Sequence, residues 1–236
     1  MKSLYTGRSH LNLQNVNSCE VKNSFFKGSN YLGSGAIGYG AELSRHTTGC
    51  KIENNQFEHL RHALLIHNGA SLNAILYNTS TESWGKNSEG QSFKSADILM
   101  HGYHPANNLV EGNTVEYIAF DRIHGTNLPG NIIYKNCIKK RGIGYATGSD
   151  GQFIIANIFS PSNYGSINQI FTQDNNAFEF TNMLITANYI GDLNDVIMND
   201  ETNYILPNSL IYNEKPDFIN DVWPKFEPFS LSNCLN

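Results

Sequence analysis

Apolar and polar positions alternate in short bursts along this chain, and each burst ends near an asparagine. The phrase is an apolar residue, a few alternating positions, Asn, and an apolar residue two places on. It reads Cys19-Glu-Val-Lys-Asn23-Ser-Phe25, Cys50-Lys-Ile-Glu-Asn54, Leu109-Val-Glu-Gly-Asn113-Thr-Val115 and Ile132-Ile-Tyr-Lys-Asn136-Cys-Ile138. It returns as Phe153-Ile-Ile-Ala-Asn157-Ile-Phe159 and Leu184-Ile-Thr-Ala-Asn188-Tyr-Ile190, with a weaker copy at Ala74-Ile-Leu-Tyr-Asn78. The steps between these asparagines are 31, 24, 35, 23, 21 and 31 residues. A repeat of this period predicts a solenoid, in which each copy is one unit stacked on the next.

Each copy predicts one turn of a right-handed parallel β-helix, with about seven or eight turns in all. In each, the stretch before the Asn is a strand whose alternate residues point inward: Cys50 and Ile52, Ile132 and Tyr134, Phe153 and Ile155. The Asn marks a bend, because Asn tolerates left-handed backbone angles. Stacked Asn amides would also bond along the axis, as in cross-β ladders. Phe25, Val115, Ile138, Phe159 and Ile190 then enter the core on the next strand. The fold class expected is all-β, a single-stranded solenoid over 1–206 with an irregular capping tail over 207–236. Ile219, Val222, Trp223, Phe226 and Phe229 would close the last open turn. Polar inserts follow Asn78 (Ser80 to Ser92) and Ser160, and inserts in repeat proteins often project from the binding face.

Composition narrows the partners. The 236 residues carry only 16% charged side chains and a net charge of −5, with no basic run, so nucleic acid is not an expected partner. No stretch of 18 apolar residues occurs, so no helical membrane span is predicted. The opening Met1-Lys-Ser-Leu-Tyr-Thr-Gly7 lacks the apolar core of a signal peptide. The repeat begins by Leu11, so the first turn calls for a cover, expected as a missing N-terminal region or a partner subunit. Cys19 and Cys50 hold equivalent positions and read as two stacked buried thiols, with a disulfide left open. Cys137 and Cys234 show no pairing logic in the sequence.

The candidate chemistry is histidine. Of the eight histidines, His101 and His124 stand twelve residues before their Asn, each followed by Gly, and His67 stands eleven before. Stacked in register, His67, His101 and His124 would form a column at one end of a sheet, ~5 Å per step. Arg45, Arg61, Asp97, Asp121 and Arg122 would lie nearby. Imidazoles suit proton transfer near neutral pH, and arginine forks match carboxylates. The catalytic expectation is therefore His101 and His124 with Arg45, Arg61 and Asp121. The substrate-binding expectation adds His46, His62, His67, His104, Arg122, Tyr103 and Trp84. An Asp97–Asp121 pair would instead suit hydrolysis. His101-x-x-His104 with His67 or His124 leaves a divalent metal open as cofactor. A third reading has the stacked His, Asn and Arg as a structural polar ladder without turnover.

The repeat resembles the pectate-lyase-like superfamily of right-handed parallel β-helices over about residues 10–206. More closely, it is similar to a group of secreted bacterial β-helix proteins. Glu42-Leu-Ser-Arg-His46, Leu60-Arg-His62, His101-Gly-Tyr-His-Pro105, Asn108-Leu-Val-Glu-Gly-Asn113 and Asp121-Arg-Ile-His-Gly125 carry the resemblance. So do Leu206-Pro-Asn-Ser-Leu-Ile-Tyr212, Lys215-Pro-Asp-Phe218 and Trp223-Pro224 in the tail. The resemblance implies a polysaccharide partner in a groove along one sheet, and an extracellular or cell-surface location. It does not choose among lyase, hydrolase and adhesin, since the superfamily holds all three.

Overall fold

The computed structural model describes residues 1–33, 37–160, 170–172, 182–190, 195–197, 206–220, 223 and 234. All its named elements are strands, and most pair in parallel. They fall into three stacks. The first holds β2 (Ser9–Gln14), β5 (Tyr39–Ser44), β8 (His62–Ile66), β13 (Ile98–His101), the second half of β15 (Thr114–Asp121), the second half of β17 (Cys137–Tyr145) and β20 (Ile170–Thr172). The second holds β3 (Glu20–Lys22), β6 (Lys51–Glu53), β9 (Ala74–Leu76), β14 (Leu109–Glu111), β16 (Ile132–Tyr134), β18 (Phe153–Ile155) and β21 (Leu184–Thr186). The third holds β1 (Lys2–Thr6), β4 (Phe25–Ser29), β7 (Gln56–Glu58), β10 (Thr79–Thr81), the first halves of β15 and β17, β19 (Ile158–Phe159) and β22 (Asn188–Ile190). Because β15 and β17 run through two stacks, the first and third join as one 14-stranded, nearly closed sheet. The arrangement is compatible with a solenoid. Two antiparallel pairs depart from it: β11 (Trp84–Lys86) with β12 (Ser92–Lys94), and β22 with β23 (Asp195–Ile197).

The core is a set of columns. Ile52, Ile75, Val110, Ile133 and Ile154 stack in register in the second sheet, each with no exposed surface. β-branched side chains suit this position, because each packs on its copy above and below in a strand pleat. Phe26 and Phe57 stack likewise, ring centroids 5.1 Å apart. This register corrects the sequence-based alignment by one residue in part of the chain. Lys51, not Cys50, pairs with Ala74, and Ile133 and Ile154 point inward rather than Ile132, Tyr134, Phe153 and Ile155. Phe26, not Phe25, enters the core. A slip of one exchanges the two faces of a strand, so small alignment errors invert burial.

Two roles assigned to one asparagine are divided between neighbours. The left-handed residue is Asn23, Asn54, Tyr77, Gly112, Lys135, Ala156 or Ala187, with φ between 46° and 68°. The residue after it builds the ladder: Asn55, Asn78, Asn113, Asn136, Asn157 and Asn188, with Ser24 at its head. Each amide Nδ2 donates to the next Oδ1 at 2.9–3.0 Å. Each Oδ1 also accepts the backbone N–H of the preceding ladder residue. A second ladder, Asn73–Asn108–Asn131–Gln152, runs five residues upstream and was not anticipated. Cys50 heads it, its N–H donating to Asn73 Oδ1 at 2.9 Å. Cys19 and Cys50 are free thiols that each precede one of two adjacent strands; Cys50 is buried, as the stacked reading expects, but Cys19 is only half-buried.

The tail is expected to close the last open turn. Its described part lies along the outer flank of the second sheet, where Leu206, Tyr212, Phe218, Ile219 and Trp223 pack against Leu76, Tyr77, Leu109 and Tyr134. Leu210 N–H donates to Glu111 Oε2 at 3.0 Å, and the Tyr212 hydroxyl bonds Glu53. Val222, Phe226 and Phe229, and the insert after Ser160, lie outside the described residues. A disulfide joins Cys137 to Cys234, a pairing the sequence did not suggest.

Candidate functional site

The first sheet carries the site on its outer face. In β5, Ala41 and Leu43 enter the core, so alternation sends Glu42 and Ser44 outward. Pairing of Leu43 with Ile66 and of Ile66 with Met100 puts Ser44, His67 and His101 in one row. His101 pairs in turn with Asp121. The row is therefore Ser44–His67–His101–Asp121, with His67 one residue past the end of β8. His124 is absent from it and stands three residues beyond Asp121, in the turn. Counting back from Asn136 misplaces it, because the count crosses a turn whose length varies between copies.

Two His–carboxylate couples occupy this row. Asp121 Oδ2 accepts from His101 Nδ1 at 2.6 Å, and Asp121 Oδ1 accepts the Ile123 N–H at 3.3 Å. Glu42 Oε1 meets His67 Nε2 at 3.1 Å. A carboxylate on one ring nitrogen fixes the tautomer and leaves the other nitrogen for chemistry. The two imidazoles are 16% and 17% exposed, so solvent reaches both. Their centroids lie 6.0 Å apart. Glu42 is buried, and burial acts to raise its pKa, but hydrogen bonds from His67 and Ser9 outweigh it and hold the group below the ordinary carboxylate range. Arg8 Nη2 stands 3.6 Å from Glu42 on the solvent side. Ser44 Oγ is buried with no partner, one of two such side-chain atoms among the described residues.

An aromatic shelf adjoins His101. The His124 ring meets His101 edge-on at 4.7 Å and lies parallel to Tyr103 at 5.2 Å, 5° from coplanar. Tyr103 is half exposed. Burial, then the neighbouring His101 charge, lowers the His124 pKa. The shelf depends on Gly102, whose φ is +62°, and where a Cβ would stand 2.4 Å from Gly125 O. That close approach lets Tyr103 N–H donate to His124 O at 3.2 Å. Asn127 Nδ2 ties the same loop down, donating to Asp121 O at 2.7 Å.

Other predicted residues sit on the rim or elsewhere. Arg45 and His46 turn the chain out of β5 with φ of 50° and 62°, both exposed. The Arg45 guanidinium has no hydrogen bond or ion pair among the described residues, though its carbonyl accepts the Asn15 N–H at 3.2 Å. His104 is exposed in the next turn, and Arg122 donates to Thr147 Oγ1 at 3.0 Å. Arg61 and His62 lie at the opposite end of β8, ~16–20 Å from His67 at roughly 3.3 Å per residue. Arg61 Nη1 donates to Gly33 O at 2.7 Å. His62 is buried against Ala96 O, and burial pushes its pKa down to about 3. Trp84 belongs to the β11–β12 hairpin at that far end, under Lys94 Nζ. Asp97 is not half of a hydrolytic pair: fully buried, it accepts from Ser80, Ser83, Glu116 N–H and Tyr117 N–H. Among the described residues, no three His, Cys, Asp or Glu side chains converge as metal ligands.

Sequence reasoning missed Glu42, Arg8, Ser44 and Asn127. The signal for Glu42 was available, since it lies two residues before the row position and faces the same side. Comparison with known proteins adds no identity: no family model matches the chain, nor does any curated protein or solved structure.

Proposed function

We propose that the chain is a right-handed parallel β-helix protein that acts on a uronate-containing polysaccharide by β-elimination. The observation that carries this reading is the His101–Asp121 couple, a free imidazole nitrogen on an oriented, solvent-reached ring. Elimination needs a base for the C5 proton, a cation against the uronate carboxylate, and an aromatic or polar surface for the sugar. His101 serves as base. Arg45 is the unpartnered guanidinium at the rim. Tyr103 with His124 forms the flat surface. The Cys137–Cys234 disulfide supports an extracellular or cell-surface setting, where such bonds persist.

The test is ultraviolet absorbance of the C4=C5 product on a panel of polyuronates, with and without divalent metal. A rise that disappears in His101→Asn supports the reading. A flat trace across the panel overturns it. That outcome favours a second reading, a non-catalytic polysaccharide-binding, adhesive or structural module. One observation stands behind the second reading: elsewhere in this chain, stacked polar residues serve structure alone.

A further inference from the structure

The row contains two couples, and elimination has two proton transfers. We infer that His67, held by Glu42, donates the proton to the departing glycosidic oxygen while His101 removes the one from C5. This rests on the elimination reading above. His101 takes the C5 proton, and the C–H pair becomes the C4=C5 bond. The C4–O4 bond breaks with its electrons on O4, which takes the proton from His67. One imidazole ends protonated and the other deprotonated, so no outside oxidant or co-reactant is needed, and one proton transfer resets the pair.

Geometry supports the division. The centroids stand 6.0 Å apart, a span that one sugar ring bridges with C5 at one imidazole and O4 near the other. The charges facing each ring differ. Glu42 is a buried carboxylate kept ionised by Ser9 and His67, and it compensates a positive imidazolium. Asp121 divides its oxygens between His101 and the Ile123 N–H. A second imidazole, His124, also faces His101 edge-on at 4.7 Å. Arg8 faces the outer side of Glu42, and Ser44 is next to His67 in the row.

A leaving group that needs no proton separates the two roles. The assay compares a polyuronate with a uronate that keeps its free carboxylate and carries a nitrophenyl ether at C4. On the polymer, His67→Asn should lose about 100-fold in kcat/KM, the usual worth of a general acid. On the nitrophenyl ether it should stay within a few-fold of the parent. His101→Asn should fall on both. Glu42→Gln should show the selectivity of His67→Asn in milder form, a check that holds if His67→Asn folds poorly. Equal loss on both substrates, or full activity on the polymer, overturns the assignment of His67. Absence of turnover on either substrate by the unaltered protein is a different failure, that of elimination itself.

Discussion

The asparagine ladder and the histidine row are both stacks of polar side chains on successive strands, yet they differ in what remains free. In the ladder every amide hydrogen and oxygen has a partner, and exposure is 0–2%. In the row, partners come only in couples, and each imidazole keeps one nitrogen without a bond among the described residues. Stacking therefore does not mark function. Hydrogen-bonding capacity left free at a solvent-reached position makes a candidate, because a buried group left unpaired would be costly and an exposed one is available to a ligand.

Breaking the ladder should have the largest effect on stability. Asn113→Leu strips the Asn78 amide and backbone N–H of an acceptor and leaves Asn136 Oδ1 with only one of its two donors, the backbone N–H of residue 113. At roughly 1–3 kcal/mol for each of the two orphaned buried donors, the loss should be about 2–6 kcal/mol in denaturant unfolding. A loss under about 1 kcal/mol would mean that the ladder is ornamental.

Next in size is Gly102→Ala. Its Cβ would meet Gly125 O and the backbone of His124, at a backbone angle that L side chains rarely adopt. We expect about 1–3 kcal/mol of destabilisation, as for strained left-handed positions. The Tyr103–His124 stack should be disturbed as well, seen as a changed His124 imidazole signal in NMR.

The histidines sharpen the comparison within one residue type. His62→Gln should cost stability, because a buried imidazole bonded to Ala96 O is lost. His101→Asn should move the melting midpoint by little. The reverse ranking would place His101 among the structural residues.

The last effect is read as a slope. Burial keeps His62 neutral down to about 3, against an ordinary value of 6.5. Between those values the unfolded chain binds a proton that the folded one does not, so stability falls as pH falls through that window. Removing the group in His62→Gln should flatten the pH dependence there, measured by denaturant midpoints. An unchanged slope would show that His62 is charged in the fold.

Much of the fold was legible because period is a property of sequence. The strand positions before Asn78, Asn113, Asn136, Asn157 and Asn188 all form, and all stack in parallel. The one-residue slip arose in the earliest copies, where Asn23 and Asn54 take the left-handed angle and the true ladder residues follow them. In those copies both positions tolerate the same residue type, so the letter does not reveal the role. The candidate site was half legible. His67, His101 and Asp121 were named, but His62, Arg61 and Asp97 were grouped with them because linear spacing carries no information about which end of a strand a residue occupies.

By itself the chain determined a stack of short parallel strands, since alternating β-branched residues at a fixed period can bury one face only by packing on their own copies. It also determined that histidines gather near one sheet. Tertiary structure decided which of them meet. Turn lengths between copies set the register, and register placed His67 and His101 in one row while moving His124 into the turn beside them. It also brought Glu42 and Asp121 to their imidazoles and carried the tail to the flank. These are contacts across 20 to 99 residues of sequence, fixed by strand pairing rather than by any local pattern.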